Sequence, residues 1–143
     1  MDKELLKEKI IKVLSGTSQV CFAYLFGSQA RGTAGALSDI DIAVFFDEPA
    51  FDQDRIYGPE FELLPLLEKN LDHRPVDLAV LNNAPVFLRY QVLKTGEILF
   101  CRSEESRIRF HEETIRLYLD FLPFRKVQNL YLKKRLTNGT FGR

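Results

Sequence analysis

Two short apolar runs, Val20 to Phe26 and Ile40 to Phe46, constrain this chain most, through what stands between them. The first closes on Gly27-Ser28 and a glycine-rich stretch follows. Asp39 and Asp41 then open the second. A nearly continuous apolar run of this length is the pattern of a buried strand. The Gly-Ser pair therefore falls at a strand end, and the aspartate pair falls at the start of a strand over Asp39 to Phe46. Side chains two apart on a strand share a face. Asp39 and Asp41 thus project together, while Ile40, Ile42 and Val44 turn the other way into the core.

Two adjacent carboxylates repel each other unless a cation lies between them. Divalent magnesium prefers carboxylates, phosphate oxygens and retained waters. This spacing suits a pair of metal ions working on an in-line phosphoryl or nucleotidyl transfer. A third carboxylate from a neighbouring strand would complete such a set. Asp77 stands at the start of Val76-Asp77-Leu78-Ala79-Val80-Leu81, a run in which an acid is otherwise costly. It suits metal binding and deprotonation of an attacking hydroxyl. The alternative is an ordinary exposed start to an edge strand.

Gly27 and Ser28 supply the phosphate end. Glycine lets the backbone approach an anion closely. A short helix over Ser28 to Ala34 would present unpaired N–H groups and a positive dipole end. Ser28 serves a terminal phosphate oxygen, or caps the helix, or does both. Arg31, one turn on, reaches the triphosphate or a site carboxylate, with simple surface exposure as the alternative. Ser38 bonds backbone near the metal loop or merely starts the strand.

Competing motifs fail. Gly27 and Gly32 have Walker A spacing, but Thr33 stands where the lysine is needed. His111-Glu112-Glu113-Thr114 hints at a zinc-protease helix, but Ile115 takes the second histidine's place. No Gly-x-Ser-x-Gly elbow occurs. His73 and His111 read as a loop residue and a helix-surface residue.

The remaining pattern predicts an amphipathic helix over 3–15, with Leu6, Ile10, Val13 and Leu14 on one face. Past Asp47-Glu48-Pro49 come a loop and a helix over about 60–71, interrupted by Pro65. A third strand covers Val76 to Leu81, and a helix covers Ala84 to Leu93 with Pro85 in its first turn. A fourth strand runs from Glu97 to Cys101. A long helix over 104–122 carries Ile108, Ile115, Leu119 and Leu122 on one side, and Pro123 breaks or kinks it. With no repeat or linker, residues 1–143 form a single α+β domain: a small mixed sheet of about four strands flanked by helices, the last of them long.

Formal net charge is zero. Residues 38–77 nevertheless hold eleven acids against three bases, and residues 106–143 hold nine bases against three acids. Solubility and complementation within the fold account for most of this. The alternative is an acidic face for cations or a basic partner, with a basic tail near phosphates. No window is apolar enough to span a bilayer. The charged N-terminus is unlike a signal peptide. Cys21 and Cys101 lie in apolar runs and read as buried reduced thiols of a cytoplasmic protein.

Gly27-Ser28, ten residues, then Asp39-Ile40-Asp41 resembles the DNA polymerase β-like nucleotidyltransferase superfamily. The chain's small size makes it similar to the minimal nucleotidyltransferase (MNT) group, whose members commonly pair as antitoxins with HEPN-domain ribonuclease toxins. The resemblance implies the polymerase β-like fold, with ATP phosphates held at Gly27 and Ser28. It implies two magnesium ions on Asp39 and Asp41, with Asp77 completing the triad. The acceptor would be a tyrosine of the toxin within a hetero-oligomer, silenced by one or more AMP units, with no direct nucleic-acid contact expected. Two other readings stand beside it. One is a nucleotidyltransferase acting on a small molecule such as an aminoglycoside or a nucleotide. The other is a non-enzymatic toxin-binding module. The lack of an acceptor domain argues against the former, and the intact charged motif argues against the latter.

Overall fold

The computed structural model describes residues 3–27, 39–47 and 58–137, with side chains described through residue 122. The described elements follow one another as α1 (Lys3–Ser15), β1 (Val20–Phe26), β2 (Ile40–Phe46), α2 (Glu60–Asn70), β3 (Val76–Val80), α3 (Val86–Thr95), β4 (Glu97–Cys101) and α4 (Glu104–Thr137). A single 3₁₀ turn, Leu81–Asn83, joins β3 to α3.

The strands form one mixed sheet in the order β3-β2-β1-β4. β1 lies antiparallel to both β2 and β4, whereas β2 and β3 are parallel. A parallel pair needs a crossover rather than a hairpin, and α2 lies within that crossover. Each face of the sheet buries its own apolar cluster. On one face, Leu6, Ile10 and Leu14 of α1 and Leu63, Leu67 and Leu71 at α2 join Leu25, Ile40, Ile42, Val44 and Phe46. On the other, Val92 of α3 and Phe110 of α4 join Phe22, Tyr24 and Ala43. Rings of Phe22 and Phe45 stack at 4.9 Å, and Phe110 lies 5.4 Å from each.

Polar pins fix the ends of these layers. The Asn82 side chain donates to the Phe46 carbonyl and accepts from the Phe46 N–H, both at 2.9 Å, which closes the far end of β2. Arg89 donates to the carbonyls of Asn82 and Ala84 and lies over the Phe110 ring. Lys7 and Lys3 hold Glu97 at 2.6 and 3.0 Å, tying α1 to β4.

Several expectations need correction. Pro65 does not interrupt its helix, which runs unbroken from Glu60 to Asn70. It sits on the exposed side, so the missing amide donor is lost where water can substitute, while Leu63 and Leu67 stay buried. Pro85 stands at the cap with extended backbone, so α3 starts at Val86 and ends two residues later than expected. Helix α4 passes through Pro123 and reaches Thr137. Pro123 cannot donate to the Leu119 carbonyl, and Leu119 is an exposed residue. The stripe Ile108, Ile115, Leu119 and Leu122 is not the core side of α4. Ile108, Leu119 and Leu122 are exposed, and Phe110 and Thr114 are buried instead. Cys21 is buried and Cys101 only half-buried, and burial pushes both thiols up from their ordinary value.

Candidate active site

The acidic edge is built where β1 ends and β2 and β3 begin. Register sets Phe26, the last residue of β1, opposite Asp41, and sets Asp41 beside Asp77 on the parallel strand. Ile40 pairs with Val76, and the Ile40 N–H donates to the Pro75 carbonyl at 3.1 Å. Pairing therefore reaches the residue next to Asp39. Ile40, Ile42 and Val44 are fully buried on the opposite face, while Asp41 is half-buried and Asp39 and Asp77 are exposed. Strand alternation alone produces that division. An apolar set on one parity forces the acids onto the other.

Gly27 is the tightest point of this edge. Its φ of 69° lies in the left-handed region, which glycine enters without the penalty of a side chain. A Cβ placed there would overlap the Asp41 carboxylate, with the carboxyl carbon at 3.0 Å and the Asp41 Cβ at 3.3 Å. The backbone leaving β1 therefore passes directly against Asp41. The reading from spacing supplied a glycine for anion approach but missed this contact with an acid of the second motif.

The backbone brings Asp41 and Asp77 to neighbouring positions, with Asp39 two residues before Asp41. Among the described residues, no three acidic, histidine or cysteine side chains are gathered closely enough to hold a metal ion. Neighbouring carboxylates repel, and these three are spread along the edge. Ser28, Arg31, Ser38 and the short helix expected over 28–34 lie outside the described residues. His73 sits in the turn after α2 with φ 59°, and His111 is exposed on α4, as expected of a loop residue and a helix-surface residue.

Beside this edge, Tyr24 of β1 pairs with Ala43, two residues along from Asp41. Burial pushes its phenol up, partly offset by a hydrogen bond from Arg107. Arg107 also donates to Glu104 at 2.7 Å, and its pKa is raised by that bond first and by Tyr24 second. The pair ties the start of α4 to β1. No sequence spacing signals it, because the two residues lie far apart along the chain.

A glycine turn thus passes over one of two register-paired aspartates. The profile described as "Polymerase beta, Nucleotidyltransferase" matches residues 8–105. The chain belongs to the polymerase β nucleotidyltransferase family. This nucleotidyltransferase is 36% identical over 117 residues to the protein adenylyltransferase MntA of Shewanella oneidensis, spanning 81% of this chain and 79% of that one. It is also similar to a chain from a crystal structure of a toxin–antitoxin with AMP-PNP. The TM-score is 0.70 at 31% identity, with 89% of this chain and 98% of that chain covered. A chain from the complex of tri-AMPylated Shewanella oneidensis HEPN toxin with MNT antitoxin superposes with a TM-score of 0.67 at 28% identity. That match covers 92% of this nucleotidyltransferase and 99% of the other chain. The small mixed sheet with a long last helix is thus the polymerase β-like fold expected from the motif.

Proposed function

We propose that this chain is an antitoxin that transfers AMP from ATP to a tyrosine hydroxyl of a partner HEPN ribonuclease toxin, thereby silencing it. The observation that carries the reading is the parallel register of Asp41 with Asp77 at the edge where Gly27 leaves β1. The relatives support the choice of acceptor. One is a protein adenylyltransferase, and another sits with a tri-AMPylated HEPN toxin. We place the reaction in the cytoplasm, where ATP is found. No described helix is long and apolar enough to cross a membrane. We read the whole chain as one catalytic domain.

The donor set fits divalent magnesium. All three side chains offer hard carboxylate oxygens, and Gly27 leaves Asp41 uncovered by any side chain of its own. Asp39, Asp41 and Asp77 would hold two such ions. When bound, the ions stabilise charge on the phosphates and ease ionisation of a hydroxyl. In the proposed step the tyrosine oxygen forms a bond to the α-phosphorus. The bond to the β-phosphate oxygen breaks and pyrophosphate leaves. Asp77, exposed on β3, takes the hydroxyl proton. Gly27 brings backbone against the phosphates, and Ser28, Arg31 and Ser38 are assigned to the same anions. The added AMP brings bulk and negative charge to the toxin, which disfavours RNA at its active site.

The test combines the purified chain with its partner toxin, ATP and magnesium, followed by intact-mass measurement of the toxin. Mass gains in AMP steps are expected. Asp77→Asn should slow them by about 10²–10⁴-fold while toxin binding persists. Complete neutralisation of the toxin by an Asp39→Asn, Asp41→Asn double variant, with no mass gain, would overturn the enzymatic reading.

A further inference from the structure

Helix α4 shows two apolar stripes, and the body of the protein uses one of them. The inner stripe spends Phe110 and Thr114 on the core. Beside it, Tyr118 stacks on Tyr90 of α3 at 3.7 Å, and Phe121 meets Phe87 edge-on at 5.0 Å. The outer stripe carries Ile108, Leu119 and Leu122 at 47%, 56% and 37% exposure, with half-buried Ile115 among them. A single exposed leucine is ordinary, but an aligned apolar stripe marks an interaction surface. A groove of about 450 Å³ runs along it, lined by His111, Glu112, Ile115, Arg116, Leu119 and Asp120.

The order of residues in the stripe says what fits it. Ile108 and Leu122 stand seven residues either side of Ile115, and His111 and Leu119 stand four either side. Such spacings keep all five on one face of a helix. The pattern therefore reads the same from either end. Laid antiparallel on its own copy about a two-fold axis at Ile115, the stripe sets Ile108 against Leu122, His111 against Leu119 and Ile115 against itself. The charged flank obeys the same symmetry with the signs reversed. Glu112 comes within one turn of the other copy's Arg116, and Arg109 comes level with the other copy's Asp120. The axis repeats each pairing, so every attraction is made twice. These charges are available. Among the described residues, Glu112, Arg116 and Asp120 have no ion-pair partner, and Arg109 holds only Glu105 of its own helix, at 3.0 Å. A partner of one charge sign would be repelled by half of this flank. A second copy, run the other way, meets each sign with its opposite.

We propose that the outer face of α4 is a homodimer interface, on which two copies of this chain pair antiparallel through residues 108–122. The inference stands apart from the transfer reading above. Its position leaves the acidic edge free. Cys101, three residues before α4, pairs with Phe22, which pairs with Phe45, four residues along β2 from Asp41. Phe87, against which the helix packs farther on, follows the turn whose Asn82 clasps Phe46. Helix α4 thus crosses the sheet at the end away from Gly27, and pairing through its outer face leaves both acidic edges open. The contact runs about 21 Å along each helix. That is small for a specific interface, so a dimer that comes apart on dilution is expected.

Sedimentation velocity on the full chain over a dilution series reads the dimer Kd. Glu112→Arg alone sets arginine against arginine on both sides of the axis and should raise Kd about tenfold or more. Arg116→Glu alone should do the same with carboxylates. The Glu112→Arg, Arg116→Glu double variant restores opposite signs and should return Kd to within about threefold of the parent. Both positions are exposed, so circular dichroism should stay unchanged throughout. Ile115→Glu puts two carboxylates on the axis and should leave only monomer. If that variant does not fold, Leu119→Ser should weaken the dimer in the same direction. Leu66→Glu, at an exposed apolar position on α2, serves as the surface control and should leave Kd unaltered. A parent chain still monomeric at about 0.1 mM would overturn the proposal. So would a double exchange that dimerises as poorly as the single ones, or a dimer untouched by Ile115→Glu. A monomeric parent whose Ile115→Glu variant loses affinity for the toxin would overturn it as well, and would give this face to the acceptor.

Discussion

Gly27→Ala should be the most informative single substitution in this chain, because two independent penalties meet there. The first is conformational. Gly27 has φ 69°, and a residue with a Cβ in the left-handed region costs about 1–2 kcal/mol. The second is steric. The new methyl would overlap the Asp41 carboxylate and press on the Asp41 Cβ at 3.3 Å. The carboxylate can swing aside, but the Cβ belongs to a strand paired on both sides and cannot. Overpacking of this kind costs about 1–3 kcal/mol, so a total of about 2–5 kcal/mol is expected. At about 4 °C per kcal/mol for a chain of this size, Tm falls by roughly 8–20 °C. Gly16→Ala is the internal control. Its nearest neighbours would lie 3.6 and 3.7 Å away, and its effect should stay within about 0.5 kcal/mol. Urea unfolding of the double-mutant cycle separates the two penalties. In an Asp41→Ala background the Gly27→Ala cost should shrink to the conformational part, about 1–2 kcal/mol. Equal losses for Gly27→Ala and Gly16→Ala would refute the close passage of β1 over Asp41. A Gly27→Ala cost unchanged by removal of the carboxylate would do the same.

Two further outcomes test the layers around the site. Leu67→Ala, in the fully buried row of α2, should lower stability by about 2–5 kcal/mol in urea unfolding, whereas its exposed neighbour Leu66→Ala should change it by less than about 0.5 kcal/mol. Glu97 is held below its ordinary 4.5 chiefly by the hydrogen bond from Lys7 and next by that from Lys3, while Lys7 is held above its ordinary 10.5. The carboxylate's contribution is therefore present above pH 4.5 and lost as pH falls through the lowered value, and the ammonium's is lost as pH rises past 10.5. Thermal melts between pH 3 and 7 should show the parent converging on Glu97→Gln as acid is added. A constant gap between the two would contradict this ion pair's role.

Much of the fold was legible because its elements announce themselves locally. The 3.6-residue spacing of Leu6, Ile10 and Leu14 delimits α1, and the apolar run from Val20 to Phe26 matches β1. Two kinds of information were not local. Periodicity on α4 marks two apolar stripes without telling which one faces the sheet. The stripe with Phe110 won because its ring packs, tilted, against both Phe22 and Phe45, an aromatic contact that a branched aliphatic side chain cannot make. Pro65 carried a real backbone penalty, but exposure on its face of α2 absorbed it. At the site, the aspartate spacing marked Asp39 and Asp41 from strand parity alone. The pairing of Asp41 with Asp77 is a register between segments 36 positions apart in the chain, and only the assembled sheet displays it.

Strand β2 runs between β1 and β3, and this makes misfolding and loss of chemistry the same event. A slip of one residue along either neighbour would turn Asp41 in among the leucines and isoleucines under α1 and α2 and move Ile40 and Ile42 out of that layer. No such shifted chain could be stable, because an unpaired buried carboxylate and stripped aliphatic groups penalise it together. The acidic edge therefore acts as a proofreader of its own assembly: molecules that pack their interior correctly have, by that act, already aligned Asp41 with Asp77.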